Sequence, residues 1–304
     1  MKTIKILTIV SLVLLGNSCS VLTKTQIKNI NAFATAAEKY TAFPGEVPRQ
    51  RAALFLEERL VQILKLSDPE RIKLSIGKAV TNYETLLNSA DKFDVSLLLI
   101  QQYASLLSIL SATNFIDDLS SNTNTLNNNL GSLIKFANTK LTTKIPLSVG
   151  DAVTKVIFLT GQKLTMARQA KALKEFIPQG QILLTITLQN VEEVMVALQD
   201  LLAQDKTKFI DTYTATIFMD QSKINYISIR QYVTVINNYD NLELLRIQCI
   251  KASSKLILAH TKLEESILQK NNLMDIYRET QDFIIALQEL YKIYGKITND
   301  VKKT

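Results

Sequence analysis

The stretch 241–297, NLELLRIQCIKASSKLILAHTKLEESILQKNNLMDIYRETQDFIIALQELYKIYGKI, decides the fold. Its apolar positions Leu242, Leu245, Cys249, Ala252, Leu256, Ala259, Leu263 and Ile267 are separated by steps of three and four residues. After Asn271-Asn272 the rhythm resumes at Leu273, Ile276, Thr280, Phe283, Leu287, Leu290, Tyr294 and Ile297. Such steps hold side chains on one face of a 3.6-residue turn, so each half is a helix with a heptad-type seam. The short asparagine link forces the two helices into an antiparallel hairpin, with the small Ala252 and Ala259 opposite the bulkier Phe283, Leu287 and Tyr291.

The rest of the chain extends this reading. Of 304 residues only 8 are glycine and 5 are proline, and none of either falls between 181 and 294. Without those breakers, a chain that is 47% hydrophobic and 21% charged folds as long helices around a sizeable core. The expected class is all-α, an elongated antiparallel bundle; helices of 28 to 40 residues would be roughly 40 to 60 Å long. Boundaries are predicted from capping and turn residues. A first helix covers Ile27 to Tyr40 and is stopped by Phe43-Pro44-Gly45-Glu46-Val47-Pro48. A second covers Arg49 to Leu66, and Asp68 with Pro69 opens a third that reaches about Ser89. Further helices are expected over Asp91 to Leu119, Leu126 to Lys144 and Leu147 to Ile177, the last closed by Pro178-Gln179-Gly180. A helix of about 40 residues follows on the pattern Val191, Val194, Leu198, Leu201/Leu202, Phe209, Tyr213, Ile217, with turns near Asp220–Ser222 and at Asn237–Asn241. The segment Ile182–Thr187 favours strand locally but leads unbroken into this helical pattern.

The N-terminus is a targeting segment. Lys2 and Lys5 precede an apolar run from Ile6 to Leu15 and then Gly16-Asn17-Ser18-Cys19. The run is too short to span a bilayer comfortably and reads as a secretory signal. With cysteine directly after a small residue, the segment resembles a bacterial lipoprotein signal peptide; Gly16 holds the place where that pattern carries leucine, and Leu15 lies one residue further back. The resemblance implies cleavage before Cys19, lipidation of that cysteine and membrane attachment through its acyl chains. Ser20, in place of aspartate, implies the outer membrane. The expected organisation is a signal peptide over 1–18, lipid anchor, tether and short helix over 19–47, and a helical bundle over 48–304. With Cys19 lipidated, Cys249 has no partner in the chain and no disulfide is expected.

Charge narrows the partners. Lys and Arg number 35 against 28 Asp and Glu, a balance of +7 that falls to +5 without Lys2 and Lys5. No run of five or six basic residues and no interleaving of basic and aromatic residues exists to track a phosphate backbone, so nucleic acid is not an expected partner. Catalytic signatures are equally scarce. His260 is the only histidine, and with Glu264 it forms an i, i+4 pair that reads as helix-surface pairing; position 257 is isoleucine, so the Glu-x-x-His of carboxylate-bridged metal bundles is absent. No Gly-x-Ser-x-Gly elbow or glycine-rich phosphate loop occurs. Cys249 lies on the seam and reads as a small buried hydrophobe. No cofactor, metal or catalytic residue is expected.

One segment is open to three readings: a buried core helix, a segment that enters a membrane after rearrangement, and a constitutive span. Asp94 and Asp117 bracket 22 uncharged residues, Val95 to Ile116, of membrane-spanning length. Gln101, Ser105 and Ser108 make a narrow polar stripe on an otherwise apolar helix, as in a central bundle helix. Entry after rearrangement would give a layout similar to the α-helical pore-forming toxins of the ClyA type. Three functions are compatible with these features: a lipid-anchored helical scaffold that binds a protein partner, a membrane-active bundle, and an enzyme. The enzyme would require a polar cluster inside the bundle around His260, Glu264 or tyrosines.

Overall fold

The computed structural model describes residues 22–112, 130–141, 143–150, 166–269 and 273–301. The signal-like segment with Cys19, the asparagine-rich residues 127–129 and the Asn271-Asn272 link lie outside them. So do 113–119 and 151–165, which belong to two of the expected helices.

Among the described residues the fold is all-α, with no strand. The long elements are α1 (Lys24–Tyr40), α2 (Glu46–Ile63), α3 (Pro69–Ser111), α4 (Met166–Tyr213), α5 (Tyr226–Gln269) and α6 (Leu273–Val301). A π-turn (Thr214–Phe218) and a 3₁₀ turn (Gln221–Lys223) join α4 to α5, and a short helix covers 130–137. Both seams face inward: the eight seam positions Leu242, Leu245, Cys249, Ala252, Leu256, Ala259, Leu263 and Ile267 are buried, as are Ile276, Thr280, Phe283, Leu287, Leu290 and Ile297, with Leu273 and Tyr294 packed at the edge of the same core.

Contacts between helices fix their directions. Lys255 meets Asp282 and Gln248 meets the Ala286 carbonyl, so α6 runs antiparallel to α5. Along α4 and α5 the pairs Gln181–His260, Met195–Arg246, Lys206–Asp240 and Tyr213–Ser228 descend in opposite order. α1 lies antiparallel to α5 through Gln26–Ser266 and Tyr40–Ser253, and α2 prolongs it in the same direction to Glu57–Gln231. α2 runs parallel to α4 through Arg51–Asp205 and Glu58–Thr212. The α1–α2 rod, α4 and α6 thus point one way, α3 and α5 the other, and α5 alone is about 65 Å long.

Local signals explain several ends. Thr23 Oγ1 accepts from the Gln26 amide at 3.1 Å while Gln26 Oε1 accepts from the Thr23 amide at 2.9 Å, a capping box that starts α1 at Lys24, three residues earlier than expected. Asp68 caps α3 by accepting from the Glu70 amide, with Pro69 at the first position. Gly45 sits at the α1–α2 joint, where a Cβ would meet the Asp94 carboxylate and the Arg49 side chain that pairs with it.

Three expected breaks are helical instead. α3 passes through 89–91 because Ala90, Phe93, Leu97 and Ile100 keep the buried stripe going at steps of three and four. α4 passes through Pro178-Gln179-Gly180; the proline removes one i→i−4 donor, but Ala172, Leu173, Phe176, Ile177, Leu183 and Leu184 are buried on both sides of it. α5 passes through Asn237–Asn241 because Val235, Asn238, Tyr239 and Leu242 are all buried. The expected α4 stripe is also corrected in part: Val194 and Leu201 are exposed, and Met195 and Leu202 take the inward positions between Val191 and Phe209. The turn near Asp220–Ser222 is present, with Asp220 accepting from the Ser222 amide and hydroxyl.

Candidate functional site

The polar group with most chemical potential is His260, placed on α5 between α3 and α4. It is 0% exposed, so the expected pairing with Glu264 on the helix surface does not occur. Both ring nitrogens are engaged elsewhere. Nδ1 lies 2.6 Å from Gln181 Oε1, an acceptor, so Nδ1 carries the proton. Nε2 then accepts from the Tyr103 hydroxyl, also at 2.6 Å. Phe33 and Tyr103 lie against the imidazole with ring centres 5.3 and 5.5 Å away, and Phe176 stacks behind Tyr103. Burial pushes the His260 pKa down to about 3 and the Tyr103 pKa well above its usual value. Imidazole and phenol are therefore neutral and fully paired.

Such a chain, amide to imidazole to phenol, joins α4, α5 and α3 in a single tautomer. It needs Gly180 beside it. A Cβ there would fall on the Tyr103 ring and hydroxyl, so the glycine that looks like a helix stop is in fact the seat of that ring. No spacing in the sequence links Tyr103 or Gln181 to His260, and Gly180 reads locally as part of a helix stop.

Other interior polar groups are also structural. The Tyr40 hydroxyl meets Ser253, which donates to the Cys249 carbonyl at 2.9 Å. Cys249 is buried and burial pushes its thiol pKa up, opposite to the shift that activates a nucleophile. Glu264 is partly desolvated, which raises its pKa. Among the described residues no three His, Cys, Asp or Glu side chains gather as a metal site.

Within the uncharged segment, residues 95–111 form the C-terminal part of α3 and bury Leu97, Leu99, Ile100, Tyr103, Leu106 and Leu107; 113–116 lie outside the described residues. α3 is long and apolar enough to cross a bilayer, as is Ala167–Phe218. Drawing α3 out into water would forfeit burial worth about 1.5–3 kcal/mol for each large side chain, a loss that entry into hydrocarbon would return.

The surface contrasts with this closed interior. The α4–α5 elbow exposes Met219 (79%), Tyr226 (75%) and Ile227 (76%), together with Ile224. Phe209, Tyr213, Phe218 and Tyr232 form a contiguous aromatic cluster beneath it, and the Tyr213 hydroxyl donates to the Ser228 carbonyl at 2.5 Å. The exposed Leu60 and Leu64, at the end of α2, lie at the same end of the bundle because Glu58 reaches Thr212 and Glu57 reaches Gln231. A groove of about 630 Å³ opens beside the elbow between α2 and α5. A smaller one of about 470 Å³ lies between α1 and α6. Neither includes His260, Tyr103 or Gln181 in its lining.

Cys19, the one site residue expected from the sequence, lies outside the described residues. The nearest described residue, Leu22, is buried at the opposite end of the bundle from the elbow, where Gln26 reaches the Ser266 carbonyl. No protein-family profile, curated protein or solved structure matches the chain.

Proposed function

We propose that this chain is a lipid-anchored envelope protein that acts by binding another protein, a non-catalytic helical scaffold attached to the outer membrane through Cys19. The observation that carries the reading is the polarity of the bundle. Its single histidine is sealed and satisfied, while the three most exposed large apolar side chains among the described residues, Met219, Ile227 and Tyr226, stand at the end away from the start of α1. Cys19 lies three positions before Leu22, a reach of roughly 10 Å. From Ser266, beside the start of α1, to Tyr226 the α5 axis covers about 60 Å. An upright bundle would thus hold Met219, Tyr226 and Ile227 far above its own membrane, where a partner can meet them. Buried seams and a compact core supply the stiffness such a spacer needs.

The anchor is tested by growing cells with a palmitate analogue. The wild-type chain should label and partition with membranes, and Cys19→Ala should lose both; labelling that survives the substitution overturns the assignment.

A further inference from the structure

The groove between α2 and α5 is a continuation of the slot that holds α6. Glu46, the first residue of α2, accepts from the Tyr294 hydroxyl of α6 at 3.2 Å. Gln50, Ala53 and Glu57 follow Glu46 at steps of four, three and four, so they lie on the same stripe of α2 and line the groove. On α5, Gln248 donates to the Ala286 carbonyl of α6. The α5 face that starts there passes on through Asn238, Thr234, Gln231 and Ile227, which form the other wall. α6 is described to Val301, level with Asn238. From Asn238 to Tyr226 the groove runs on for about 18 Å, slightly more than three helical turns.

We infer that this groove seats an amphipathic α-helix of a protein partner, laid along the line of α6. Its dimensions are those of a helix seat, because the same two rods form the walls of both. Its chemistry is also that of a helix seat. Leu54, Val235 and Ile227 offer an apolar floor and lip. Gln50, Glu57 and Gln231 place hydrogen-bonding groups along the flanks, where the polar edges of an amphipathic helix would lie. Asn238, only 8% exposed, lies in the floor. Lipid acyl chains have no use for the polar flanks. This inference rests on the proposed binding function and names its surface and the class of its partner.

The test is site-specific photocrosslinking in cells making the full lipidated chain, with p-benzoylphenylalanine placed singly at Gln50, Ile227 or Thr234. Exposed positions off the groove, Leu74 on α3 and Val196 on α4, serve as controls. The groove positions should crosslink to one segment of one protein, at partner residues three or four apart, and the controls should not. Ala53→Trp, which fills the groove, should reduce that crosslink at least tenfold while leaving the thermal midpoint unchanged. Crosslinks only to lipid, to a second copy of this chain, to an irregular partner segment, or to nothing overturn the inference, as does a yield indifferent to Ala53→Trp. If the controls capture a protein and the groove does not, the groove assignment fails alone; if no position captures a protein, the binding function fails with it.

Discussion

Replacing Gly180 with alanine separates helix propensity from tertiary packing. In the interior of an ordinary helix that change stabilises by about 0.5–1 kcal/mol, because glycine loses more backbone freedom on folding. Here the new Cβ would fall on the Tyr103 ring. That ring cannot simply swing away: it is 1% exposed, its centre lies 5.0 Å from Phe176, and its hydroxyl is held by His260 Nε2 at 2.6 Å. Overpacking of this kind costs about 1–3 kcal/mol, and pulling the hydroxyl from His260 adds about 1 kcal/mol for an imidazole nitrogen left without its donor. The net expectation is a loss of roughly 1–3 kcal/mol, opposite in sign to propensity. Urea unfolding of a leaderless Cys19→Ser chain reads it directly, as a midpoint lowered by about 0.5–1 M at unchanged slope. In a Tyr103→Leu background the ring is gone, so Gly180→Ala should become neutral or stabilising, giving an interaction energy of about 2 kcal/mol in a double-mutant cycle. A Gly180→Ala variant that is more stable than wild type, or one equally destabilised in both backgrounds, refutes the seat assigned to Gly180.

Two further outcomes follow from the buried interior. His260 is held neutral with its pKa pushed down to about 3, below its ordinary value of 6.5, so the unfolded chain takes the proton first. Its stabilisation is therefore complete above about pH 6.5 and declines as the pH falls toward 3, by about 2 kcal/mol between pH 7 and 5. His260→Gln should flatten that part of the pH–stability curve, and an unchanged slope would show that the imidazole is not the group responsible. Cys249, buried and with its thiol pKa raised, should resist a thiol reagent at pH 8 in the folded Cys19→Ser chain and react once in urea. Rapid labelling of the folded chain would show the seam open at that position.

The hairpin over 241–297 was legible because a seam is a local property. Steps of three and four determine which side chains share a helix face, and both sets of positions face the core. Capping residues were legible at Asp68 for the same reason, since one side chain meets an amide two residues away. Local signals misled at Pro178–Gly180 and Asn237–Asn241, where the burial of Phe176, Leu183, Tyr239 and Leu242 outweighs a missing donor or a weak turn preference. The His260 chain was out of reach in principle. Tyr103 and Gln181 lie 157 and 79 residues from it in sequence, and no spacing rule links them.

By itself the sequence determined the all-α class and the inward faces of the last two helices, which follow from patterns within a few turns of one chain segment. Only the tertiary structure decided which rods adjoin, that Gly180 serves a tyrosine from another helix, that His260 is sealed, and that a groove continues the α6 slot. Those outcomes depend on the summed burial of side chains from several helices, a quantity that no single segment contains.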